Sequence, residues 1–184
     1  MQAGTVLMAS ALLALVGVQA QAQAPKAGVP QFQVDALWPK DLPNNWLLGQ
    51  VSGLTTDRNN NVWIVNRPDS LSKRERAAEQ KPPEARCCVA PPAVIVFDQA
   101  GNVIKHWGGP GQGYNWPKSE HGIYIDDNDF VWLAGNGKKD GQLLKFTMDG
   151  KFVLQIGKSG QGNDSNSTQR LGSPADVAVD VASQ

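Results

Sequence analysis

The phrase Ser52-Gly53-Leu54-Thr55-Thr56-Asp57, leading to Val62-Trp63-Ile64-Val65, occurs a second time in this chain. It returns as His121-Gly122-Ile123-Tyr124-Ile125-Asp126, leading to Val131-Trp132-Leu133-Ala134. A third occurrence opens at Ala175-Asp176-Val177-Ala178-Val179-Asp180. The segments that follow also recur. Val94-Ile95-Val96-Phe97 and Val103-Ile104-Lys105-His106-Trp107-Gly108 match Leu143-Leu144-Lys145-Phe146 and Phe152-Val153-Leu154-Gln155-Ile156-Gly157. Their offset is constant at about 49 positions and continues into the loops, where Gly111-Gln112-Gly113 matches Gly160-Gln161-Gly162. A register kept through strand, turn and loop restricts the chain to folds built by stacking one small unit.

Each unit reads as four short strands rich in β-branched and aromatic residues. In the first unit these are 53–56, 62–65, 94–97 and 103–107; in the second, 122–125, 131–134, 143–146 and 152–156. Four-stranded antiparallel units recurring at this interval are the blades of a β-propeller. The expected fold is therefore all-β: about two blades and the first strand of a third. Propellers have about 4–8 blades, so the chain reads as part of a longer product. Trp63 and Trp132 stand at equivalent positions and suit packing between blades. Residues 25–48, with Pro30, Pro39 and Pro43, read as an entry segment with a short strand at Phe32–Val34. Residues 49–184 read as the partial propeller. It is interrupted by a charged loop insertion at 68–92 with room for one helical turn.

Seventeen basic and seventeen acidic residues balance. Such a chain predicts neither a nucleic-acid footprint nor a polybasic membrane patch. Residues 1–24 read as a signal peptide. The apolar run from Val6 to Val18 is too short for a bilayer core of ~30 Å. It is followed by alternating small residues that place cleavage after Ala24, with Ala22 and Ala20 as alternatives. The expected location is periplasmic or secreted, with no membrane contact after cleavage. The only cysteines, Cys87 and Cys88, are neighbours. A bridge between them, a pair of free thiols and pairing between chains all remain open, and no zinc-knuckle spacing is present.

One position breaks the repeat. Ser52, His121 and Ala175 are equivalent, and a structural unit needs only a small residue there. His121 is therefore a candidate ligand. His106 aligns with Gln155 and reads as an outer-strand surface residue. Asp126-Asp127-Asn128-Asp129 lacks the spacing of a calcium loop and reads as a hairpin turn. Gly157-Lys158-Ser159 lacks the upstream glycine of a phosphate-binding loop.

At these residues the chain resembles NHL-type six-bladed propellers, and among them the peptidyl-α-hydroxyglycine α-amidating lyases (peptidylamidoglycolate lyases). Three stretches carry the resemblance: Gly49 to Arg67, His121-Gly122-Ile123 with Asp126 and Trp132, and Leu154 through Asn163-Asp164 to Asp180. It covers roughly Gly49 to Asp180 and is weak across the loop from Pro68 to Pro92. It implies that His121 is one of three histidines holding zinc, and that Arg67 grips the substrate. It further implies that the backbone carbonyls of Leu54 and Ile123 hold a structural calcium. The implied reaction splits a peptidyl-α-hydroxyglycine into a peptide amide and glyoxylate. Zinc accepts imidazole nitrogen, arginine forks onto carboxylates, and calcium takes backbone oxygen. The chain departs from that pattern at Asn66, in place of a histidine, and at Glu120, in place of a proline. The family's tyrosine and two further histidines would lie beyond Gln184.

Two functions are expected from this reading. One is the N-terminal part of an exported, metal-dependent lyase acting on a small peptide-like substrate. The other is a secreted propeller that binds a protein, peptide or glycan without catalysis. Fold does not choose between them, and the sequence leaves the oligomeric state open.

Overall fold

The computed structural model describes residues 28–160 and 166–180; the signal-peptide reading of residues 1–24 lies outside them. The chain divides into two compact units, 1–35 and 36–184. Within the first, residues 28–35 are exposed and form no strand, with Phe32 at 93% and Val34 at 89% exposure. The short strand expected at Phe32–Val34 is therefore corrected. Without a partner to complete the hydrogen bonding, β-rich composition alone does not make a strand.

The second unit is all-β and holds two four-stranded antiparallel sheets. The first comprises β1 (Gln50–Thr56), β2 (Val62–Arg67), β3 (Val94–Phe97) and β4 (Val103–Trp107), in that spatial order. The second comprises β5 (Glu120–Ile125), β6 (Phe130–Gly135), β7 (Gln142–Thr147) and β8 (Phe152–Gly157), also in order. All eight expected strands form, and several extend further. Arg67 becomes the last residue of β2. Glu120 and His121 belong to β5 rather than preceding it.

Hairpins set this order. Asp57-Arg58-Asn59-Asn60-Asn61 turns the chain between β1 and β2, with Asn60 at φ 59°. Asp129, at φ 59°, does the same between β5 and β6. Asn and Asp tolerate that left-handed conformation. The run Asp126 to Asp129 is thus the hairpin its composition suggests.

β2, β3 and β6 are buried on both faces, and that is why they read as nearly continuous apolar runs, whereas burial alternates along β7. Trp63, Val65, Val94 and Val96 of the first sheet meet Ile123, Val131, Leu133, Leu144 and Phe146 of the second in one core. Trp107, Tyr114, Trp116 and Phe152 pack around Phe146 at its edge. On its other face the first sheet presents Ile64, Ile95 and Phe97. Trp38, Leu42 and Leu48 of the entry segment cover them. Trp38 stacks tilted on Phe97 at 5.5 Å, and the Lys40 amide bonds to the Gly101 carbonyl.

The first strands of the two units touch. In β1 the pairing passes from Val51↔Asn66 to Gly53↔Val65, leaving Ser52 as an extra residue. In β5 it passes from Glu120↔Gly135 to Ile123↔Leu133, and there too one residue is extra. The bulges fall at the same place in the repeat, and His121 occupies the position of Ser52. A Cβ on Gly53 would lie 2.4 Å from the His121 carbonyl oxygen; one on Gly122 would lie 2.6 Å from that of Ala175. Each repeat-start carbonyl therefore rests on the glycine of the preceding unit. The third phrase, Ala175–Asp180, follows that rule but is not a strand. Among the described residues no second strand pairs with it.

The insertion at 68–92 makes two short 3-10 turns, Pro68–Ser70 and Ala77–Glu79, rather than one. Leu71 and Ala77 are buried beneath it. Val89 ties its far end to the entry segment, donating to the Asn45 carbonyl and accepting from the Leu47 amide. Cys87 and Cys88 are joined to each other. His106 is exposed on β4, with Trp46 edge-on at 4.8 Å.

Candidate functional site

The start of β1, the end of β2, the start of β5 and the end of β6 meet at one end of the sheet pair. Arg67 links them. Its Nε donates to the Glu120 carbonyl at 2.7 Å. Nη1 reaches Gln50 Oε1 at 3.3 Å, and Nη2 reaches Asn136 Oδ1 at 3.2 Å. Asn136 holds in the second unit the position Arg67 holds in the first, so the contact joins equivalent points of successive units. Ser119, the counterpart of Gln50, donates to the same Asn136 oxygen at 2.8 Å. Among the described residues three of the five guanidinium N–H groups are engaged in this way, which leaves two that could meet a ligand.

His121 is partly buried, and its Nδ1 lies 3.1 Å from the carbonyl oxygen of Ala175. A carbonyl can only accept, so the contact calls for a proton on Nδ1, and in that tautomer of the neutral ring Nε2 keeps its lone pair. A ring nitrogen donating to a backbone carbonyl is the usual support of a metal-binding histidine. The bulge is what turns the side chain out of the regular alternation of β5.

Leu54 and Ile123, the residues whose carbonyls the family resemblance assigns to calcium, occupy equivalent positions on β1 and β5, opposite Ile64 and Leu133. The Leu54 side chain is exposed and that of Ile123 is buried. The four expected site residues thus gather on neighbouring strands. Further ligands do not join them. Among the described residues no three or more His, Cys, Asp or Glu side chains converge to hold a metal ion.

The structure adds two residues to this end. Glu120 is only 8% exposed, and its Oε1 accepts the Trp116 indole N–H at 2.7 Å. Burial pushes its carboxyl above the usual carboxylate range, and nearby Asp69 adds to the effect. The Trp116 hydrogen bond and the Arg67 charge oppose it. Glu120 stands where the sister units have Val51 and Pro174. A lone acid in an apolar repeat position is the signal that the sequence carries for it. Asn66, the other departure, is fully buried. Its Nδ2 donates to the carbonyls of Pro92 and Ala93, both at 3.0 Å, so it fastens the end of the insertion.

At the opposite end lies a wedge of about 290 Å³ lined by Arg58, Lys105, Trp63 and Met148. Its cations are already matched, Arg58 to Asp129 at 3.0 Å and Lys105 to Asp149. The Arg67 end therefore offers the richer chemistry: a guanidinium with spare donors, an imidazole with a free nitrogen and a buried carboxyl. No protein-family model matches the chain, and no curated protein shows significant similarity to it.

Proposed function

We propose that the two sheets are consecutive blades of an NHL-type propeller. In this reading the chain is the N-terminal part of an exported lyase that cleaves the C–N bond of a peptidyl-α-hydroxyglycine. The observation that carries it is His121: a histidine at a repeat-start bulge, its Nδ1 on the Ala175 carbonyl, beside an Arg67 with two unspent donors. The packing of carbonyl on glycine from unit to unit supports the propeller. So does the far face of the second sheet. Trp132, Ala134 and Leu143 repeat there the residues Trp63, Val65 and Val94 that bury the first sheet against the second.

His121 would hold zinc through Nε2, and the carbonyls of Leu54 and Ile123 would serve a structural calcium. Zinc, when bound, would supply Lewis acidity toward the substrate hydroxyl. Arg67 would take a substrate carboxylate on its two remaining N–H groups while its other three keep the guanidinium in place. Glu120 and Trp116 would form the wall beside it. A single protein ligand does not make a zinc site, so the remaining ligands must come from later units.

A second reading is a secreted propeller that binds a peptide, protein or glycan without catalysis. The structural use of three Arg67 donors favours it, because a residue that joins two units needs no substrate. Metal content separates the readings. The full-length protein, purified without chelator, should carry about one zinc by elemental analysis, and His121→Ala should lose most of it. A folded, zinc-free wild type would leave the binding module. Zinc retained in His121→Ala would remove this histidine from the site.

A further inference from the structure

Beside the Arg67 link lies a cavity of about 110 Å³ whose lining includes Pro68, Pro110, Trp116, Pro117 and Glu120. The walls are mostly apolar and aromatic, and of the two carboxyls that line the space, that of Glu120 is nine-tenths buried. No ion pair reaches Glu120 among the described residues, and the hydrogen bond from Trp116 Nε1 is neutral. The Arg67 charge acts on Glu120 without pairing with it, so much of the cost of a buried carboxylate remains, and removing that cost is what a cation bound in the cavity would do. Two other charges line the space. Asp69 adds negative potential from the rim while holding Arg76 at 3.8 Å. Lys118 lies at the surface, its backbone amide fixed by Asp140 and its side chain exposed to water. The volume is room for several waters, so it admits a small head group. Trp116 supplies an aromatic ring against which a cation is stabilised further.

We propose that this cavity is a binding site for a primary ammonium group, such as the end of a lysine-like side chain or an alkylamine, with Glu120 as its counter-ion. The site stands on its own geometry and does not depend on the lyase reading. It explains why an acid stands here where the sister units have Val51 and Pro174: the Trp116 N–H and a proline-walled space receive it.

The probe is n-butylammonium, with n-butanol and butyrate as neutral and anionic counterparts. Binding is read from the indole N–H resonance of Trp116, assigned by its loss in Trp116→Phe, in the full-length protein. The expected result is a saturable shift with butylammonium, at least tenfold weaker in Glu120→Gln, and little response to butanol or butyrate. Glutamine keeps an acceptor for the indole N–H, so a fold matching wild type is expected by circular dichroism. If Glu120→Gln does not fold, the three probes on wild type decide alone. Equal binding of butanol and butylammonium would overturn the proposal, as would unchanged affinity in Glu120→Gln or no saturable shift at all. Because the readout needs neither metal nor turnover, a zinc-free protein that binds butylammonium would sink the lyase and keep the site.

Discussion

Asp57 and Asp126 use both carboxylate oxygens on their own hairpins. Asp57 accepts the amides of Asn59 and Asn61, the Asn61 side chain, and the Trp63 indole N–H at 3.0 Å. Asp126 does the same for Asn128, Phe130 and Trp132, and takes Lys145 at 3.3 Å as well. Each hairpin is thus bolted to the tryptophan that its strand buries. Asp57→Ala should cost about 2–4 kcal/mol, since it leaves a buried indole donor and two turn amides unmet. Trp63→Phe should cost less than the alanine change if only the indole bond is lost. Urea melts of both variants and the double mutant would show strong non-additivity. Acid dependence follows from the same bonds. Burial pushes the Asp57 and Asp126 carboxyls up, but the tryptophan and turn hydrogen bonds outweigh it and hold both below their usual 3.8. A lowered folded-state pKa contributes stability that is present above the unfolded value and lost as pH falls through the folded one. Stability should therefore decline below about pH 4, with a flatter acid limb in Asp57→Asn. The Asp-to-Trp spacing was in plain view twice in the sequence. Its hydrogen bond was not, because spacing does not show which way an indole turns.

At the scale of elements, the bulge and the glycine beside it fix how one unit meets the next. Gly122→Ala would bring a Cβ to 2.5 Å from Asp176 Oδ1 and 2.6 Å from the Ala175 oxygen. It should destabilise by about 1–3 kcal/mol as overpacking against backbone. Gly172→Ala, with open space around it, is the matched control. Thermal melts compare the two. The Cys87–Cys88 bridge makes the opposite case. It closes almost no loop, and the insertion is held by Leu71, Ala77 and the bonds of Val89 to the entry segment. A double serine variant should shift stability by less than about 1 kcal/mol. Every strand was legible, because composition and an internal copy agreed on each. Strand ends were not, since Arg67 and Glu120 extend β2 and β5 through pairing that polar residues do not announce. The final phrase, Ala175–Asp180, shows the converse: a strand-like sequence does not become one where no partner is paired to it.

On the scale of the whole molecule, the link through Arg67 makes the site end a property of two units together. Arg67→Lys keeps the charge but cannot span the Glu120 carbonyl, Gln50 and Asn136 at once. It should lower stability modestly and weaken carboxylate binding, measured by titration with a peptide carboxylate. His121 stood out in the sequence because it departs from the repeat, and Arg67 through the family resemblance. Glu120 departed as well, but its partners Trp116 and Pro68 come from a connection and an insertion that no copy constrains, so the cavity was invisible until the chain was folded. The entry segment has a different kind of consequence. Trp38, Leu42 and Leu48 seal one face of the first sheet, whereas the second sheet carries forward the face that the first one buried. A pair of sheets laid down this way has a polarity in time: the entry segment leaves the ribosome first and can seal one face of the first sheet, and the other face is then ready as the surface on which the second sheet is built.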